Sequence, residues 1–176
     1  MIIANRIACV QIICKAKLTE LALEERESTL LNWWGISSDE KGYDLLPEAL
    51  KSELACSDDS PSDCEPDKYD PLIMLALMSQ YRGVTNSHIN NELNALEGED
   101  VCVTGDVEVL EVCPCCSFRT LTSHGEYEIC PLCKWEDDGT QNMKVFSGVN
   151  RKTLQQARDE FALSEVGYLK EKWIKL

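Results

Sequence analysis

Two short cysteine pairs constrain this chain more than any other stretch: Cys113-Pro114-Cys115-Cys116 and Cys130-Pro131-Leu132-Cys133. Within each pair the Cys-x2-Cys spacing lets two sulfurs converge on one ion, and proline after the first cysteine helps set the turn. Between the pairs, SFRTLTSHGEYEI reads as a strand, a turn around Ser123-His124-Gly125, and a returning strand. Such a hairpin would bring the two turns together at one end.

That layout is a zinc ribbon, with Cys113, Cys116, Cys130 and Cys133 as the expected metal ligands. Cys115 is a fifth thiol beside the site and a possible alternative ligand by spacing. The competing reading is a disulfide framework, because the total of ten cysteines is even. Cysteine scaffolds belong to small secreted domains, whereas the apolar start of this chain is interrupted by Ala4-Asn5-Arg6 and Gln11 and does not read as a secretory signal. Metal is therefore the expectation. Four thiolates fill a tetrahedral ion's positions, so the ion, Zn2+ by expectation, is structural; iron accepts the same four sulfurs. So short a segment cannot bury a sufficient core alone, and metal binding would supply much of its folding free energy.

With 176 residues the chain has room for one full domain, or a modest domain plus the ribbon. No apolar run approaches the roughly 18 residues of a membrane span. Cys9, Cys14, Cys56, Cys64 and Cys102 lack metal spacing and read as small buried hydrophobes in a reducing cytoplasm. The net charge of −14 is uneven. Residues 1–34 are neutral, and residues 35–110 hold seventeen acids and four bases. A basic patch, the usual requirement for holding phosphates, is not visible, so nucleic acid is not an expected partner. An acidic surface steers basic proteins toward itself, although it also serves solubility.

Residues 1–18 place Ile2, Ile3, Ile7, Val10, Ile13, Cys14 and Leu18 near helical spacing, with β-branched content that also suits a strand in part. Thr19 is the expected N-cap of a helix through LALEERESTLLNWW, stopped at Gly35. Pro47 opens a short helix, PEALKSELAC, before an acidic loop over 57–68. Asp70 and Pro71 open the next helix as N-cap and first position. PLIMLALMSQY is apolar nearly all round and should be the central buried helix. A helix from Thr85 to Leu96, stopped by Gly98, follows. This pair has the outline of a helix-turn-helix, but TNSHINNELNAL carries no lysine or arginine with which to read DNA.

Val101–Val103 and Val107–Val112 alternate as strands do, with Gly105-Asp106 as the turn between them. After the ribbon, Trp135-Glu136-Asp137-Asp138-Gly139 sets three carboxylates beside a tryptophan. Adjacent acids converge on one point only in a loop, and no histidine, lysine or serine is patterned near them, so they read as loop acids bonding backbone amides or a basic partner. A last helix over Thr153–Ser164 follows, and the tail EVGYLKEKWIKL adds a turn or two of helix.

These residues carry a resemblance. Cys113-Pro-Cys-Cys116, then Gly125-Glu-Tyr-Glu-Ile-Cys-Pro-Leu-Cys133-Lys-Trp-Glu-Asp-Asp-Gly139, resembles the bacterial cysteine-rich CPCC family over about residues 111–163. Leu154-Gln-Gln-Ala-Arg-Asp-Glu-Phe161 is similar to that domain's closing helix. Glu27–Trp34 and Tyr69–Leu77 resemble a segment found fused to it. Two features depart from the family: Ser117 stands where glycine tends to follow the CPCC stretch, and Phe146–Asn150 replaces a glycine- and proline-containing loop. The resemblance implies an immunity protein that neutralises a toxin deployed between competing bacteria.

The expected architecture is therefore α+β. A helical N-terminal domain (1–100) is followed by a cysteine-rich module (101–176) with a β hairpin and a closing C-terminal helix. The expected function is that of a cytoplasmic, non-enzymatic binding protein for a cognate, basic toxin domain. Candidate contacts are Trp33, Trp34, Asp39, Glu40, Asp44, Asp58, Asp59, Asp63, Glu65, Asp67, Trp135, Glu136, Asp137 and Asp138. The alternatives are a zinc-ribbon scaffold or regulatory protein in a nucleic-acid-linked complex and, less favoured by the residues, an enzyme using Glu136, Asp137 and Asp138.

Overall fold

A computed structural model describes residues 2–57, 59–61, 63–64, 67–98, 101–164 and 171–176. The chain divides into two compact units, Ile7–Tyr81 and Met1–Arg6 with Arg82–Leu176. Among the described residues, no helix is long and apolar enough to cross a membrane.

The unit Ile7–Tyr81 is helical. Helix α1 (Arg6–Glu20) buries Cys9, Val10, Ile13 and Cys14 on one stripe, as the apolar spacing requires. Helix α2 (Leu23–Trp33) begins later than its sequence suggests. Thr19 is not its cap: the hydroxyl bonds back to Ala16 O inside α1. Ala22 occupies the N-cap, and Glu25 reaches back to its backbone N–H, 3.1 Å away. Helix α3 (Glu48–Cys56) follows Pro47. Helix α4 (Asp70–Ser79) has no exposed residue, and it buries Leu72, Ile73, Ala76 and Leu77. Asp70 is its first helical residue and not its cap; the carboxylate instead pairs with Arg26 of α2 at 2.8 Å. Complete burial of Leu72 and Ile73 stabilises the unit by about 1.5–3 kcal/mol each.

In the other unit, strand β1 (Ile2–Asn5) pairs in parallel with strand β2 (Val101–Thr104). The start of the chain is thus a strand before it becomes helix. Helix α5 (Asn86–Glu97) packs on β2. It opens with Thr85 accepting from His88 N–H and closes on Gly98, whose φ of 68° suits glycine. Asparagines join it to the strands: Val101 N–H donates to Asn94, Asn86 donates to Gly105 O, and Arg6 donates to Asn86. The hairpin expected at Gly105-Asp106 does not form, because β2 takes β1 as its partner and Val107–Leu110 is irregular.

The remaining strands are short and antiparallel. Strand β3 (Glu111–Val112) pairs with β4 (Arg119–Leu121), and β5 (Phe146–Ser147) pairs with β6 (Lys152–Thr153). Helix α6 (Leu154–Leu163) closes the segment, started by a capping box between Thr153 and Gln156. The described part of the tail is not helical. Trp173 bridges to Val84 and Lys175 to Phe118, while Ser117 O accepts from Leu176 N–H. With most helices in the first half, small antiparallel pairs after them and a closing helix, the fold is α+β.

Candidate metal centre

Each cysteine pair sits at the tip of its own hairpin. Over the first, β3 pairs with β4, Cys113 N–H donates to Phe118 O at 2.8 Å, and Ser117 N–H donates to Cys113 O at 3.0 Å. Over the second, Cys130 N–H donates to Trp135 O at 2.8 Å and Lys134 N–H to Cys130 O at 2.9 Å. The bonds Tyr127 N–H to Asp137 O and Asp137 N–H to Glu128 O extend this second hairpin. The two turns therefore repeat one hydrogen-bond pattern. This corrects the expected arrangement, in which a single hairpin joined the pairs: the limb after Ser123–Gly125 pairs with the segment following Cys133, not with β4.

The folding brings Cys113, Cys116, Cys130 and Cys133 together, with all four sulfurs within 4.8 Å of one another. Cys113 and Cys133 Sγ are 3.5 Å apart, and Cys116 and Cys130 Sγ are 3.7 Å apart. Metal–sulfur bonds of about 2.3 Å place tetrahedral ligands about 3.8 Å apart, so the cluster matches the edge of such a site. None of the ten cysteines forms a disulfide. The four could bind a metal ion. Cys9, Cys14 and Cys64 are buried like ordinary small hydrophobes, Cys102 is half-buried, and Cys56 is exposed.

Electrostatics within the cluster point the same way. Contacts with Cys113, Cys130 and Cys133, together with burial, push the Cys116 thiol well above its ordinary range. Contacts from Cys113, Cys116 and Cys133 hold Cys130 far below it. Like charges so close oppose one another's ionisation, so full deprotonation of the four needs a cation among the sulfurs, and binding one would release protons. Cys130 is also the sulfur with the most neighbouring donors. Thr120, almost fully buried, places Oγ1 3.1 Å from its sulfur, and Cys133 N–H points to it at 3.5 Å. Cys115 is buried and lines a groove of ≈ 490 Å³ with Leu132, Trp135, Val149 and Phe161.

Helix α6 fastens the first turn. Arg158 donates twice to Pro114 O, at 2.8 and 2.6 Å, and Phe161 packs edge-on against Phe118. Asn150 does the same for the segment after the second turn. It accepts from Glu136 N–H and donates to Glu136 O, as a paired strand would. Sequence reasoning missed Thr120, Asn150 and Arg158 as supports. Arg158 lies within the closing-helix resemblance, which was its available signal.

The acidic loop is more integrated than its exposed character in sequence implies. Asp137 is 1% exposed and accepts from Gly125 N–H, Gly139 N–H and His124 Nδ1. A histidine therefore does stand beside these acids, contrary to expectation, and so does Ser147, whose hydroxyl donates to Asp138 at 2.6 Å. Burial opposes ionisation of Asp138, but the bonds from Ser147 and Thr140 hold its carboxyl below the ordinary carboxylate value. Trp135 is buried, which removes it and Asp137 from the expected contact surface; Glu136 and Asp138 are half-buried.

Of the other expected contacts, Trp34 is interior. Its indole N–H donates to Ser57 O at 2.9 Å and its ring meets Tyr69 edge-on, so it anchors the helical core. Trp33 and Glu40 are half-buried, while Asp39, Asp44, Asp59, Asp63 and Asp67 are exposed. Asp58 and Glu65 lie outside the described residues.

Residues 111–175 match the family described as Cysteine-rich CPCC. The match contains the four clustered cysteines, the WEDDG loop and α6; it does not include Glu27–Trp34 or Tyr69–Leu77. No curated protein and no solved structure gives a match.

Proposed function

We propose that this protein is a cytoplasmic immunity protein that neutralises a cognate bacterial competition toxin by direct binding. Zn2+, held by Cys113, Cys116, Cys130 and Cys133, is its structural ion. The ion stiffens the segment without offering a position to substrate, because four sulfurs occupy a tetrahedral ion completely. Inhibition is by affinity and not by turnover.

The observation that carries this reading is the acidic surface of Ile7–Tyr81. That unit holds nine more acids than bases, and Asp39, Asp44, Asp59, Asp63 and Asp67 are exposed on it. Toxins that act on nucleic acid need basic surfaces to hold phosphates. An acidic inhibitor can occupy such a surface and is captured rapidly by long-range attraction. The family resemblance supports the same role.

The test is co-expression with the product of each gene that flanks its own, followed by pull-down and a growth assay. A stable complex with rescued growth, weakening steeply as salt rises, is expected. A folded, metal-bound protein that neither captures the toxin nor rescues growth overturns the proposal. Elemental analysis of the purified protein, with its visible spectrum, tests the ion: iron–thiolate centres are coloured, and Zn2+ is not.

A further inference from the structure

We infer that Glu111 and His124 form a second, solvent-facing site for a divalent transition-metal ion, distinct from the four-cysteine centre. His124 sits in the Ser123–Gly125 turn, with Nδ1 3.0 Å from Asp137 Oδ2. Asp137 is fixed in place by Gly125 and Gly139 N–H groups and is shielded from water. With Asp137 engaging Nδ1, Nε2 is the ring nitrogen left to face an ion. Carboxylate, histidine and then metal is the arrangement by which proteins orient a ligating imidazole.

The second ligand is already in position. Glu111 Oε2 lies 3.6 Å from His124 Nε2, and the two side chains are 57% and 41% exposed. Bonds of about 2.1 Å from one ion to an imidazole nitrogen and a carboxylate oxygen separate those atoms by about 3.4 Å in a tetrahedral site. A shift of about 0.2 Å, within a surface glutamate's freedom, would complete the chelate. Exposure leaves the remaining positions to water. One imidazole with one carboxylate selects zinc, nickel, cobalt or copper over magnesium or calcium, which favour oxygen alone. Charge also balances, since the carboxylates of Glu111 and Asp137 offset a divalent ion.

A direct His124–Glu111 ion pair has similar geometry, and the experiment separates the two. Tag-free full-length protein, its cysteine site saturated with Zn2+, is titrated with Ni2+ while the imidazole NMR signals are followed. The chain has two histidines, and His88 Nε2 itself lies 3.7 Å from Glu92 Oε1, so the variant at Glu111 is the control. Expected is saturable paramagnetic broadening of His124 that E111Q removes while leaving the His88 response unchanged. E111Q and H124A should each weaken Ni2+ binding by about tenfold or more, without loss of bound zinc. No broadening of His124, or broadening of His124 unchanged in E111Q, would overturn the site. Because E111Q alters one exposed side chain, its result stands even if H124A disturbs the turn.

Discussion

Ser117 and Lys134 follow the last cysteine of each turn and share one backbone conformation, with φ of 64° and 63°. A left-handed conformation costs an L-residue about 1–2 kcal/mol. Glycine escapes that cost but loses about 0.5–1 kcal/mol more backbone freedom on folding. Ser117→Gly should therefore stabilise the turn by about 0.5–1 kcal/mol. The contacts that define the turn survive it, because Ser117 N–H to Cys113 O and Leu176 N–H to Ser117 O are both backbone bonds. Where metal binding and turn formation are linked, that gain appears as about two- to fivefold tighter metal binding. Competition against a chromophoric chelator measures it, with Ser117→Ala as control because alanine retains Cβ and the strain. The reasoning fails if Ser117→Gly binds metal more weakly, or if Ser117→Ala gains as much. Lys134→Gly should repeat the gain, since the second turn repeats the geometry.

Three other perturbations probe separate parts of the chain. Thr120→Val deletes the hydroxyl beside Cys130 Sγ at nearly constant volume and should weaken metal binding by about tenfold, with Thr120→Ser close to wild type in the same chelator competition. Asp138 has a folded pKa below its unfolded value. Its stabilising contribution is therefore present above the unfolded value, near 4 for a free aspartate, and is lost as pH falls through the folded one. Ser147→Ala should raise the Asp138 titration midpoint followed by carbon NMR; an unchanged midpoint would dismiss the Ser147 bond as its cause. Leu72→Ala removes a fully buried side chain from α4 and should cost about 2–5 kcal/mol, read by denaturant unfolding of the helical signal.

What was legible in the sequence was local. The cysteine spacing picks out the four cysteines that cluster, because a Cys-x2-Cys turn is short enough to dictate its own geometry. Thr85, Gly98 and the Thr153–Gln156 box mark helix ends because a cap acts within one turn. Pairing was not legible. Ile2–Asn5 finds Val101–Thr104 across most of the chain, and no local pattern records a parallel partner so distant. Val107–Val112 alternates properly, yet only Glu111–Val112 becomes strand, because β4 supplies a partner for those two residues alone. Thr19 failed as a cap because its hydroxyl had a closer acceptor in Ala16 O. His124 escaped notice for a similar reason: its partner Asp137 lies thirteen residues on, aligned only by the second hairpin.

The WEDDG loop shows why counting charges along a chain overstates the surface. Trp135 closes the second cysteine turn through its carbonyl and fills the core with its ring. Asp137 joins the Ser123–Gly125 turn to Gly139, and Asp138 holds Ser147 and Thr140. Two of three adjacent carboxylates are thus committed to internal donors, and a carboxylate so bonded contributes less to long-range attraction than one facing water. If association with a basic partner depends on charge, its salt sensitivity has to arise chiefly elsewhere. Asp39, Asp44, Asp59, Asp63 and Asp67, exposed on the helical unit, are the residues placed to supply it. Neutralising Asp44 and Asp67 together should then flatten the dependence of toxin association rate on ionic strength, whereas Glu136→Gln should leave it nearly as steep. The opposite ranking would locate the docking charge in the cysteine-rich segment and remove the helical unit from the encounter.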